Sequence, residues 1–101
     1  MPGLIGVDPA LVGMLSAAEA AGATTMAAGT SGAAPAMTAV LPPGSDPASM
    51  AVAAAINARG AAAVAALTQL TMTRAMFASN VGVNGTSYAA QDVLQQAALA
   101  I

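Results

Sequence analysis

Tyr88 and Asp92 are the residues of this chain whose types and spacing most invite a chemical reading. They stand in the stretch NGTSYAAQD, residues 84–92, as the single tyrosine and one of only four acids in 101 residues. Their i,i+4 spacing puts a phenol and a carboxylate on one side of a helical segment. Catalysis would need more. Histidine and cysteine are absent and both basic residues are arginines, Arg59 and Arg74, so there is no histidine, cysteine or lysine to act as base or nucleophile partner. The serines Ser16, Ser31, Ser45, Ser49, Ser79 and Ser87 therefore lack an activating neighbour. The acids Asp8, Glu19, Asp46 and Asp92 are isolated, and two of them read as helix caps, so neither a metal site nor a cofactor is expected. The glycine-rich GVNGT, residues 82–86, lacks the strand, helix and lysine of a phosphate loop. The pair can be recognised by a partner; an enzyme is not expected.

Charge and bulk set the next limits. A formal net charge of -2 with two arginines cannot neutralise a nucleic-acid backbone, so nucleic-acid binding is excluded as an expectation. The apolar fraction is 57%, but alanine supplies more than half of it, with one phenylalanine and no tryptophan, so a lone chain has little area to bury. Mean hydropathy is +0.74, which raises the question of a membrane span. Glu19 interrupts the first candidate span and Asn57 with Arg59 the second. The N-terminal MPGLIGVDPALVG has neither a basic n-region nor a compact apolar h-region, so export would need a route other than a cleaved signal.

The elements that must carry these residues begin with a repeated phrase, Asp-Pro-Ala, at residues 8–10 and again at 46–48. An aspartate N-cap followed by proline at the first helical position is a start signal: the carboxylate accepts from orphan amides, and proline has none to leave unpaired. Two helices are predicted. The first runs over about 9–38, with Pro35 ending or kinking it. A turn follows at 39–46, where Pro42, Pro43, Gly44 and Ser45 cannot join either helix. The second runs over about 47–82, and NVGVNG, residues 80–85, is expected to stop it.

On a helical wheel Leu11, Leu15, Ala18, Gly22, Met26, Gly29 and Ala33 share one face of the first helix, a seam that permits close approach. In the second helix Val52, Ile56, Ala63, Leu67, Leu70, Phe77 and Val81 do the same, while Met50, Met72 and Met76 lie round the other side. A hairpin covers one face of each helix, so the methionine face points to a further contact. Arg59 and Arg74 also project toward the first of these faces. They can snorkel at its edge, pair with Glu19 or meet a partner carboxylate, and the sequence does not choose.

These residues together resemble the PE proteins of mycobacterial type VII (ESX) secretion systems, in a member consisting of the PE domain alone. The likeness spans essentially the whole chain: the proline at position 9, an Ala/Gly-rich first helix, the VLPPGSDPASM turn at 40–50, an alanine-rich second helix, and Tyr88-Ala89-Ala90-Gln91-Asp92, which matches the family's YxxxD/E secretion motif. The Pro-Glu dipeptide that names the family reads Pro9-Ala10 here. The resemblance implies an all-α fold, an antiparallel two-helix hairpin over 1–83 that forms a helical bundle with a PPE protein, followed by a tail over 84–101. It further implies an obligate heterodimer with that PPE protein, whose WxG turn lies beside the motif. An EspG chaperone would be met only indirectly, through PPE. Synthesis in the cytoplasm would be followed by export through the type VII machinery to the envelope, surface or outside, and the turn is most like members encoded with the iron-linked ESX system. Tyr88 and Asp92 are then the secretion signal, and Leu11, Leu15, Met26, Val52, Ile56, Leu67, Leu70 and Phe77 the expected partner interface.

The competing reading is a small membrane-active, holin-like hairpin, motivated by high alanine and low charge. A self-associating bundle subunit is a third. On the leading reading the chain alone is expected to express poorly or aggregate, because most of its helical stability comes from intermolecular burial.

Overall fold

The computed structural model of the chain describes residues 6–100; residues 1–5, which open the N-terminal stretch and the 1–83 segment, and residue 101, which closes the 84–101 segment, lie outside the described residues. The fold is all-α: α1 is Pro9–Thr38 and α2 is Pro47–Leu99, with no strand among the described residues. Two compact units divide the chain, one combining residues up to Gly22 with Arg74 onward, the other Ala23–Thr73, and each helix contributes to both.

Both helices start at the Asp-Pro-Ala phrases. The Asp8 carboxylate accepts from the backbone N–H of Ala10 at 3.0 Å and of Leu11 at 3.4 Å. Asp46 accepts from the Ser49 N–H at 3.0 Å and from the Ser49 hydroxyl at 2.7 Å. Those bonds, the hydroxyl's first and the amide's second, hold the Asp46 carboxyl below its ordinary pKa. Pro35 does not end α1; it sits in the last turn, and its carbonyl accepts from the Ala39 N–H at 3.0 Å.

In the first unit the helices run antiparallel. Moving forward along α1, Val12 lies against Gly85, Ser16 donates its hydroxyl to the Ala78 carbonyl at 2.7 Å, and Glu19 pairs with Arg74 at 2.8 Å. Gly22 stands where a side chain would fill the space of the Arg74 guanidinium. In the second unit the same direction holds. A Cβ at Gly60 would run into the Met37 carbonyl, so the two backbones meet there with only hydrogen between them. Asn57 then pairs twice with the Val40 backbone, accepting from its N–H at 2.7 Å and donating to its C=O at 3.0 Å. This pins the 39–46 connection.

Two expectations are corrected. The second helix does not stop at NVGVNG: α2 continues through Gly82 and Gly85 to Leu99. Each interior glycine costs about 1 kcal/mol relative to alanine. Here the missing side chains let Ser16 and Val12 of α1 approach, at 3.0 Å and 3.2 Å from the Cβ positions, and packing offsets propensity. The faces also differ from the wheel. The buried hydrophobic side chains among the described residues are small, Ala23, Ala53, Ala78 and Val81, while Leu11, Leu15, Val52, Ile56, Leu70 and Phe77 are exposed. Close backbone approach selects small residues for the contact, and bulky ones are left outside it.

Candidate functional site

The contact face of α2 follows a heptad pattern. Ala53, Gly60, Arg74 and Val81 repeat at one position, with Leu67 in the same series but at its edge and left exposed, and Asn57, Val64, Thr71, Ala78 and Gly85 repeat at the other. Within this pattern lie the contacts just described: Asn57 on Val40, Gly60 on Met37, Arg74 on Glu19, Ala78 on Ser16 and Gly85 on Val12. The next members of the two series are Tyr88 and Asp92.

That register decides where the two residues sit. At Gly85 the α2 backbone passes Val12 and the carbonyl of Pro9, the first residue of α1. One layer further, Tyr88 and Asp92 occupy the same side of α2 with no α1 residue left to cover them. Tyr88 is 48% exposed and Asp92 is exposed. Neither side chain makes a hydrogen bond or ion pair among the described residues. A pocket of about 330 Å³ beside the tyrosine is lined by Asn84, Ser87, Tyr88 and Gln91. Ser87 directs its hydroxyl back to the Val83 carbonyl at 3.0 Å, so the amides of Asn84 and Gln91 and the phenol supply the polar edges. The arrangement offers an aromatic face, amide donors and acceptors, and a carboxylate one turn away. That set suits the reading of a peptide or protein surface. No cluster of three or more potential metal ligands occurs among the described residues.

The interface residues named from the sequence are placed as follows. Leu11, Leu15, Val52, Ile56, Leu67, Leu70 and Phe77 are exposed, with Leu70 at 58% and Ile56 at 46%; Met26 is half-buried. The structure brings none of them together into a hairpin core. Arg74 takes one of its open alternatives, the ion pair with Glu19. The residues that sequence reasoning missed are the small and polar ones that close the helix pair, Ser16, Asn57 and Gly60. Their signal was present as alternating three- and four-residue spacing of Ala53, Asn57, Gly60 and Val64. It was masked because large apolar residues follow a similar period on the neighbouring face. Both helices are long and apolar enough, by length and composition, to cross a membrane.

Comparison with known proteins finds that the family model described as the PE family matches residues 5–95. No curated protein and no solved structure matches the chain.

Proposed function

The chain belongs to the PE family, and from that premise we propose that it is a non-enzymatic type VII secretion substrate that forms an obligate heterodimer with a PPE protein. Tyr88 and Asp92 are the residues the export machinery reads. The observation that carries the reading is the inverted packing: the helix pair closes on alanine, glycine and satisfied polar groups while Leu11, Leu15, Val52, Ile56, Leu67, Leu70 and Phe77 face outward. Exposed apolar residues at such density mark a protein contact. Together with Met26 they form the proposed PPE interface. On this reading the pair leaves the cytoplasm without a cleaved signal peptide, EspG acts through the PPE subunit, and the VLPPGSDP turn associates the chain with the iron-linked ESX system. The 84–101 segment is the signal-bearing part, and its residues 84–99 continue α2.

The test separates signal from scaffold. Tyr88→Ala or Asp92→Ala is expected to abolish export of the pair, measured in culture filtrate and envelope fractions, while the one-to-one PPE complex still elutes intact on size exclusion. Loss of the complex in Tyr88→Ala would make the tyrosine a packing residue. Because both helices also satisfy the length and composition of a span, the lone chain is fractionated in parallel. Detergent-dependent membrane association without any PPE complex would favour the membrane-active reading.

A further inference from the structure

The outward face of α2 in the second unit carries one charge. Helical spacing places Val52, Ile56, Arg59, Ala63, Leu67 and Leu70 along one side, and Arg59 is exposed among them. No ion pair or hydrogen bond reaches its guanidinium among the described residues. The other arginine is already engaged, since Arg74 donates to Glu19 at 2.8 Å. An exposed arginine needs no partner while water surrounds it. Once the leucines and isoleucine beside it are covered, water is removed, and an unpaired guanidinium in an apolar contact costs far more than a surface ion pair gains.

We infer that this face docks one helix of a partner protein that is apolar along its length and carries a single carboxylate placed to meet Arg59. The inference rests on the heterodimer proposed above and names the chemistry of the partner's contact. An alanine- and leucine-lined stripe lets a partner helix slip by a turn at small cost, whereas a fixed ion pair does not, so Arg59 sets the axial register. It also rejects helices that lack the acid, because they would leave the charge buried and unpaired.

A second copy of this chain is a poor occupant. Of the four carboxylates, Asp8 and Asp46 hold helix caps and Glu19 holds Arg74. Asp92 is the one side-chain carboxylate left. An antiparallel copy that joined it to Arg59 would cover the proposed export signal.

The experiment uses the full chain in complex with the PPE protein that co-elutes with it. Arg59→Glu, co-expressed with the PPE protein, is expected to weaken the complex at least tenfold, read as its dissociation across a dilution series, with the far-ultraviolet circular dichroism of the complex that remains unchanged. Arg59→Lys retains most of the affinity and supplies an amine that a carbodiimide joins to a neighbouring carboxylate as an amide, with loss of water. Peptide mapping then identifies the partner acid, and replacing that acid by lysine restores binding to Arg59→Glu. The inference is overturned if Arg59→Glu binds within twofold of the original chain, if no interchain link forms, or if the link joins two copies of this chain. In each of those outcomes an intact PPE complex leaves the heterodimer standing. Failure to obtain any PPE complex overturns the heterodimer and the inference together.

Discussion

The two faces of α2 invert the usual order of a helix. The face turned toward α1 holds Ala53, Asn57, Gly60, Arg74, Ala78 and Gly85, with its polar groups bonded: Asn57 to Val40, Arg74 to Glu19, and the Ala78 carbonyl to Ser16. The outward face holds Val52, Ile56, Leu67, Leu70 and Phe77, all exposed. Small residues bury little area each, so their value lies in letting backbones approach and in fixing a single pairing. Large residues carry the hydrophobic free energy, and here α1 leaves theirs uncovered. The helix pair is a specified shape with little buried apolar area to stabilise it.

Substitutions on the two faces of α2 should act differently. The largest effect is expected at Gly60, where any side chain meets the Met37 carbonyl. Gly60→Val should cost about 3 kcal/mol or more, read as a collapse of the thermal transition followed by circular dichroism. On the outward face, Ile56→Ala with Leu70→Ala should leave the helicity of whatever free chain is recovered unchanged while weakening the PPE complex by about 2 kcal/mol or more. A loss of helicity in the free chain would show that this face is packed in the monomer. Asn57→Ala removes both partners of the Val40 backbone and should cost about 2 kcal/mol, with accelerated amide exchange at Val40.

The smallest effect concerns the α2 cap. Asp46 titrates below its ordinary value in the folded chain because Ser49 donates to its carboxylate. A depressed folded-state pKa contributes stability that is complete above the unfolded carboxylate value, near ~4, and is lost as the pH falls through the lower folded value. Helicity should therefore decline on acidification, and Asp46→Asn, which keeps a cap without the titration, should flatten that part of the profile.

Legibility in the sequence followed the range of each interaction. The helix starts were readable because Asp8 with Pro9 and Asp46 with Pro47 act on amides within three residues. The Glu19–Arg74 pair was readable only as one option of three, since it joins residues far apart in the chain. The expected stop at residues 80–85 failed for the same reason. Local propensity makes Gly82 and Gly85 a stop, whereas the approach of Ser16 and Val12 carries the helix through them. At the candidate site, the i,i+4 spacing of Tyr88 and Asp92 was visible at once, but their place in the series that begins with Ala53 and Asn57 was not.

The sequence by itself determined two helices, where each begins, the poverty of catalytic groups and the family to which the chain belongs, because these depend on composition, local capping chemistry and motif order. Only the tertiary structure decided which face closes the pair, that α2 runs on to Leu99, and that Tyr88 and Asp92 extend the contact face one layer beyond the first residue of α1. Leucine and alanine stripes with nearly the same period compete for the contact. Backbone approach at Gly60 and Gly85, together with the pairing of Asn57 and Arg74, gives it to the smaller residues.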